Sequence, residues 1–564
     1  MILFKENFIL VDNSNVKKID GELFSDIVEN GARNLKANIQ EVNDLNVFPI
    51  PDGDTGDNMY MTISGGIGPL KKETENSVEK KAKALADGML LNARGNSGVI
   101  LSQLFAGMAK ALEGHPTVTT EELANAFNMG VKQAYTAVAQ PVEGTILTVA
   151  RESADIAKRT TNESSTLGEY FDTYVKEMEK SLDHTPDLLP VLKEADVIDS
   201  GGAGLLYIAK GMKCAVEGQE IQADGSMETK GNDIDFSKFT ADSEMVYGYC
   251  TECLLQLQNS KTDAEAFDVN TIIDFLNTIG DSIVAFKTGT VIKLHVHTMT
   301  PYKVLQFCQQ FGEFLKIKIE NMTLQHNETV KEEKPKKKKR NVNHRKFGLV
   351  TVGTGEGLIE AFYGMGADIV IDGGQGNNPS IETFIEAFDD CNADVIFVLP
   401  NNSNIIMAAK QAKEMYTKSD IRVLPTKNFG QAYSILSMLD YSADDVDEIE
   451  KTMISDMADI VTGMVTTSIR SANIDGVEID NGNYIGFTNK TMLVSDKDKL
   501  NTVVALLDKL KIADKNFLIA VYGKDVTDEE KEKTEKIVAT QYPHVEFYSI
   551  DGGQDVYDYI LILE

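Results

Sequence analysis

From about residue 21 to residue 209, apolar side chains recur at every third and fourth position, and almost no strand-like alternation occurs before about residue 245. That recurrence is the period of an α-helix with one buried face. Segments 21–40, 79–91, 97–112, 120–138, 144–158 and 167–182 carry it. The first part of the chain is therefore predicted to be an all-α domain, and any chemistry it performs must sit on the loops between helices.

One such loop is residues 46–58, Asn-Val-Phe-Pro-Ile-Pro-Asp-Gly-Asp-Thr-Gly-Asp-Asn. Pro49 and Pro51 bias the residues before them away from helix. Asp52, Asp54 and Asp57 interleave with Gly53 and Gly56, so a tight turn directs several carboxylates to one place. Like charges held close repel unless a cation lies among them. Oxygen ligands without Cys or His favour a hard cation, Mg²⁺ or Ca²⁺. An Asp/Gly-rich surface turn would read the same way in isolation.

A second loop, Asn92-Ala-Arg-Gly-Asn-Ser-Gly98, lies between two apolar stretches. Small residues opening a helix leave backbone N–H groups free, and the helix dipole adds partial positive charge, which suits a phosphate. The spacing is neither Gly-x4-Gly-Lys-Ser/Thr nor Gly-x-Gly-x-x-Gly, and an ordinary capped helix start is the alternative. A cation loop and a phosphate loop about forty residues apart form a more specific pair, which suggests a nucleotide–Mg²⁺ site. Pro141-Val-Glu143-Gly-Thr145 and Asp199-Ser200-Gly-Gly-Ala-Gly204 punctuate the later helices in the same manner.

Charge and cysteine content narrow the class. The net charge is −32, from 55 basic and 87 acidic residues, which argues against non-specific nucleic-acid binding. Five cysteines do not make a disulfide framework, so a reducing, cytoplasmic setting is expected. No apolar stretch approaches the ~20 residues of a membrane span. A lipid substrate would have to be presented by something else.

Beyond a polar stretch at 217–243 the period changes. Strand-like and helical segments follow in the order β-α-β-β-α-β, predicting an α+β middle domain of ferredoxin-like pattern over 240–328. His295 and His297, two apart on one strand, share a face, and Cys250 lies on an earlier strand. One Cys and two His make a Zn²⁺ set, against the alternative of two strand histidines and a buried Cys. Residues 329–345 are a basic linker, read as a solvated tether. From 346 to 564 apolar strands end in Gly/Asn-rich loops that open helices, the pattern of an α/β domain whose ligands sit at the carboxyl ends of its strands. Residues 443–470 are predicted to be one helix, and Asp551-Gly-Gly-Gln554 echoes Asp372-Gly-Gly-Gln375.

The Asp-Gly-Asp-Thr-Gly-x-Asn-Met, Ala-Arg-Gly-Asn-Ser-Gly, Pro-Val-Glu-Gly-Thr and Asp-Ser-Gly-Gly-x-Gly motifs resemble the nucleotide-binding (L) subunit of dihydroxyacetone kinases over roughly residues 16–215. The whole chain resembles the catalytic subunit of bacterial fatty acid kinases. The resemblance implies a helical barrel over 1–215 that binds ATP and two Mg²⁺ at one end. It implies Asp52 and Asp54 as metal-binding and catalytic carboxylates, with Asn58 and Asn46 lining the same site. It implies Gly95, Asn96, Ser97 and Gly98 as the phosphate loop, with Thr62 and Thr145 near the nucleotide. Asp57, where relatives often carry Thr, would be an extra metal-site charge or surface. Asn92 stands where relatives often carry Gly. The family's middle domain carries Cys and His-x-His at the positions of Cys250, His295 and His297. Its C-terminal region docks a fatty-acid-carrying partner protein and is similar to that partner's own first half.

The leading expectation is a kinase that phosphorylates a fatty-acid carboxylate, which is already a nucleophile and needs no strong general base. A glycerone-type kinase acting on a small hydroxy-ketone and a scaffold with a vestigial kinase site are the alternatives. A homodimer is a further expectation.

Overall fold

Each helix of the first part starts where a short polar side chain can cap it, and the caps explain the boundaries. In this computed structural model, helix α1 (Gly21–Ala37) is capped by Asp20, whose carboxylate accepts from the Leu23 N–H at 3.0 Å. Helices α6 (Thr120–Ala137) and α8 (Leu167–Asp183) start at full capping boxes, Thr119 with Glu122 and Thr166 with Glu169. The others are α2 (Ile39–Asp44), α3 (Thr55–Lys72), α4 (Val78–Leu91), α5 (Gly95–Ala111), α7 (Ile146–Thr160), α9 (Thr185–Leu188), α10 (Pro190–Glu194) and α11 (Ser200–Val216). A two-residue ribbon, β1 (Lys18–Ile19) with β2 (Val118–Thr119), ties the start of the domain to the start of α6. The structure describes residues 12–47, 50, 53–138, 140–219, 221, 249–321 apart from 265, 277 and 289, and 344–564 apart from 442–444, 459 and 490.

The helices surround one apolar core that includes Phe24, Leu35, Met59, Leu101, Phe105 and Phe171. Helices α1 and α11 cross closely because Gly31 and Gly211 meet. A Cβ on Gly211 would stand 2.5 Å from the Asn30 carbonyl oxygen and 2.8 Å from the Gly31 Cα.

The chain divides into two compact units, Met1–Ser226 with Val342–Glu564, and Met227–Asn341. The first unit contains both the helical part and the α/β part. Its four-stranded sheet is parallel, in the order β10 (Asp420–Val423), β9 (Ala393–Leu399), β7 (Arg345–Gly353), β8 (Ile369–Asp372). A six-stranded mixed sheet follows, ordered β15 (Thr491–Asp496), β14 (Tyr484–Thr488), β11 (Val461–Thr467), β18 (Tyr559–Leu563), β16 (Phe517–Tyr522), β17 (Glu546–Asp551). Between β11 and β14 lies a small hairpin, β12 (Ala472–Ile474) with β13 (Val477–Ile479).

The single helix expected over 443–470 is not present. A helix spans Val446–Asp456, and residues 461–467 form β11, paired with β14 and β18. Val461, Thr462, Val465, Thr466 and Thr467 are β-branched and sit in the centre of that sheet, where such side chains pack well.

Two apolar clusters of the α/β part take in residues from the helical part. Ala93 and Val99 belong to the cluster of Val350, Ile371, Phe384 and Phe388, and Ile50 belongs to that of Leu349, Phe362 and Phe397. The two parts of this unit therefore share apolar cores.

In the second unit β3 (Tyr249–Leu257), α12 (Asn270–Leu276), β4 (Gly280–Thr288), β5 (Val291–Thr298), α13 (Pro301–Cys308) and β6 (Gly312–Asn321) run β-α-β-β-α-β. The sheet is antiparallel in the order β4-β5-β3-β6. Leu255, Ile292, Leu294, Val296, Val304 and Cys308 form its core. Most of the basic linker lies outside the described residues.

Because the helical and α/β parts share a core, Phe388→Ala is expected to cost about 3–5 kcal/mol. It should also lower the unfolding midpoint of the helical part, read by far-ultraviolet circular dichroism in urea; an unchanged helical transition would contradict the shared core.

Candidate functional site

Asp54 occupies the N-cap position of α3, yet its side chain makes no capping bond. Asp20, Asp199 and Asp498, at equivalent positions elsewhere, all accept from a backbone N–H of the first turn. The Asp54 carboxylate instead accepts from the Asn378 side-chain amide, Nδ2 to Oδ2 2.7 Å, on the loop after β8. Asn58, one turn along α3, is buried, and its Nδ2 would lie 2.7 Å from a Cβ on Gly95. Gly95 has φ +58°, which glycine adopts without strain, so the backbone that opens α5 comes close to Asn58. The cation loop and the phosphate loop are thus adjacent, joined through Asp54, Asn58 and Gly95.

The surrounding polar groups hold this junction. Thr62 is fully buried; its hydroxyl donates to the Asn58 carbonyl at 2.7 Å and accepts from the Arg94 N–H at 3.4 Å. Thr62 therefore ties α3 to the phosphate loop from inside the wall. Gly98 packs against it, since a Cβ there would fall 2.4 Å from the Thr62 hydroxyl. Asn46, Thr55 and Ser200 form a triangle of bonds, with Thr55 and Ser200 donating to Asn46 Oδ1 at 2.7 and 3.2 Å. Asn96 donates to Asn404 Oδ1 at 3.3 Å, and Ser97 is half-exposed on the first turn of α5. Thr145 lies at the start of α7 and donates to the Val142 carbonyl at 2.7 Å.

Asp57 is engaged away from Asp54. Its Oδ2 accepts from Asn43 Nδ2 at 2.7 Å, while Asn43 Oδ1 accepts from the Gly56 N–H at 2.7 Å. Asp57 thus locks α2 to the start of α3, a role that the sequence reading of it as a metal-site charge or surface did not include. Asp52 lies outside the described residues. Among the described residues no group of three or more His, Cys, Asp or Glu side chains stands ready to hold a metal ion. For the expected zinc set, the backbone register pairs Cys250 with His297 and Glu252 with His295. The side chains of Cys250, His295 and His297 lie outside the described ones, and the zinc reading is without support.

Sequence reasoning missed Asn378, Arg94 and Arg470. Arg94 donates to the Asn378 carbonyl at 3.1 Å, and its buried Nε has no partner. Arg470 donates to the backbone carbonyls of Asp44, at 3.2 Å, and of Val47. Asn378 falls in a loop already marked by its Asn/Gly content, but nothing in a single chain links positions 324 residues apart. Gly374 and Gln375 of that loop, with Thr354, Asn401, Lys427 and Gln554, also line a cavity of about 80 Å³ at the carboxyl ends of the parallel strands.

Burial pushes the Asp54 carboxyl up to about 6; the amides of Asn58 and Asn378 oppose the rise, and the charge of Asp57 adds to it. Burial likewise pushes Asp199 up to about 6, opposed by backbone N–H groups of Gly202 and Ile146. A half-buried carboxylate with amide partners and, among the described residues, no cationic one is a fitting ligand for a hard cation, and the first-turn N–H groups of α5 are fitting partners for phosphate.

Three family models match the chain. A DAK2 domain matches residues 49–214, the middle domain of FakA-like fatty acid kinase proteins matches 246–329, and their C-terminal domain matches 348–564. Protein YloV of Bacillus subtilis is 37% identical over 558 residues, covering 98% of this chain and all of that protein. An uncharacterized protein of Staphylococcus haemolyticus is 36% identical, covering 97% of this chain and all of its own length. Among solved structures, DegV, a fatty acid binding protein from Bacillus subtilis, aligns at 14% identity with a TM-score of 0.30, covering 39% of this chain and 99% of its own, a likeness too low to carry an argument. No helix among the described residues is long and apolar enough to cross a membrane.

The raised Asp54 carboxyl has a thermodynamic signature. Between about pH 4 and pH 6 the native state holds a proton that the unfolded chain has released, so this group lowers stability as pH rises through that window. Without divalent cations, Asp54→Asn is expected to be more stable than wild type by roughly 1–3 kcal/mol at pH 7 and equal to it near pH 3.5. Urea unfolding at the two pH values measures this, and Mg²⁺ at pH 7 should stabilise the wild type but not the variant.

Proposed function

Because the chain belongs to the FakA-like fatty acid kinase family, as its three domain matches and a 37%-identical full-length relative show, we propose that it transfers a phosphoryl group from ATP, with Mg²⁺, to the carboxylate of a fatty acid presented by a separate lipid-carrying protein. The observation that carries this reading is the half-buried Asp54 carboxylate, brought beside the glycine-opened start of α5 with no cationic partner among the described residues.

Asp54, with Asp52, would hold the metal, and the first N–H groups of α5 at Gly95, Asn96 and Ser97 would hold the phosphates, the Gly98 N–H being taken by the Arg94 carbonyl at 3.1 Å. Asn58 and Asn46 would line the same end, and Thr145, at the start of α7, would lie near the nucleotide. Bound Mg²⁺ supplies charge neutralisation on the transferring group. A carboxylate oxygen of the acceptor forms the new bond to the γ-phosphorus as the bond to the β,γ-bridging oxygen breaks. ADP leaves with that electron pair, the product is an acyl phosphate, and no proton moves. The chain's task is therefore positioning and field, with no general base required. His115 and His184 suit this reading, because they are half-exposed and exposed, beside Glu122 and Asp187 at 3.5 Å. The family is described as one of kinase subunits, which supports delivery of the acceptor by a second protein. We also read the middle unit, with its β-α-β-β-α-β order, as ferredoxin-like.

Asp52→Ala and Asp54→Ala are each expected to reduce phosphoryl transfer to a carrier-bound fatty acid by at least a hundredfold, with the circular dichroism spectrum unchanged. Full activity in both variants would overturn the reading. Dihydroxyacetone should not serve as acceptor in the same assay; its phosphorylation in preference to the fatty acid would favour a glycerone-type kinase instead.

A further inference from the structure

Three contacts from the C-terminal region converge on the loop ahead of α3. Ile50 is buried in its apolar core, Arg470 bonds the carbonyls of Asp44 and Val47, and Asn378 bonds Asp54. The first two hold backbone. The third holds the carboxylate itself.

We propose that Asn378 is a positioning residue of the nucleotide–metal site: its amide N–H fixes the Asp54 carboxylate, and its free carbonyl oxygen receives a hydrogen bond from the hydration shell of the bound cation. This rests on the kinase reading above.

The orientation of the amide follows from its partner. An ionised carboxylate only accepts, so Nδ2 faces Asp54 and Oδ1 faces away. Asn378 is 2% exposed, and its Oδ1 has no hydrogen-bond partner among the described residues. Buried acceptors are nearly always satisfied, and an orphan at this place points to a donor that arrives with a ligand. Mg²⁺ keeps several waters when bound, and these are donors. The side chain is also held still. Pro379 restricts the backbone of the residue before it, and Arg94 bonds the Asn378 carbonyl at 3.1 Å. The Asn378 amide holds Asp54 Oδ2, and the Asn58 amide bonds the same carboxylate. The fixed outer partner orients the inner ligand, as second-layer groups do around metals.

Asn378→Leu tests this, because leucine keeps the volume while removing both the donor and the orphan acceptor. A purely packing role predicts that this variant behaves as wild type or better. The full-length protein is titrated with Mg²⁺ in a calorimeter at saturating non-hydrolysable ATP analogue, and with the analogue at saturating Mg²⁺. The expected result is Mg²⁺ binding at least tenfold weaker in Asn378→Leu, with analogue affinity at saturating Mg²⁺ changed less than twofold. If that variant does not fold, Asn378→Ser, which draws the donor out of reach of Asp54, is read in the same way. Wild-type Mg²⁺ affinity in the folded variant overturns the role of Asn378 and leaves the kinase reading standing. A wild-type protein that binds neither Mg²⁺ nor the analogue overturns both.

Discussion

The contact between Asp54 and Asn378 organises the molecule around an electrostatic liability. A half-buried carboxylate is held in place by neutral amides, and the positive groups nearby are spent on other partners. Arg94 bonds the Asn378 carbonyl, and Arg470 bonds those of Asp44 and Val47. Both guanidiniums thus shape the backbone without cancelling the negative charge. Had either reached the carboxylate, Asp54 would sit in an ion pair with its acidity strengthened, and its attraction for a cation would be weakened. The Asp54 carboxylate is instead held by amides and, among the described residues, uncompensated in charge, a combination that suits a metal–phosphate ligand.

Much of this was legible in the sequence, for identifiable reasons. The long amphipathic helices announce themselves by period, and α4, α6 and α8 begin and end close to where apolar recurrence places them. The glycine and asparagine loops of the α/β part mark the ends of β7, β8 and β9 because tight turns need those residues. The stretch 443–470 misled because Met453, Met457, Ile460 and Met464 recur at three and four, mimicking a helix through a segment that is a central strand. Periodicity cannot separate the two over so short a buried strand, and the β-branched Val461, Thr462, Val465, Thr466 and Thr467 are the better guide.

The site itself was legible only by halves. Carboxylates and glycines near residue 54, and the small residues from Gly95, carry chemical signals that can be read locally. What joins them to Asn378 is tertiary, and an asparagine in an ordinary βα loop has no mark of its own. Asp57 shows the converse. Its place among three aspartates reads as an extra metal-site charge or surface, and the fold adds a partner, Asn43, through which it joins two helices. Spacing along a chain counts charges; it does not say which way they face.

The grip of Arg470 on Val47 joins residues 423 positions apart, with a separately folded unit between them. A ribosome adding ~5–20 residues per second needs roughly 20–85 s to pass from one to the other. Until residue 378 has been made the helices can assemble, but the loop carrying Asp54 lacks its Asn378 clamp, and the Arg470 bonds come later still. The nascent chain therefore carries its acidic loop unfinished until almost the whole protein has been made. The junction around Asp54 is completed last, after the region that grips it has folded.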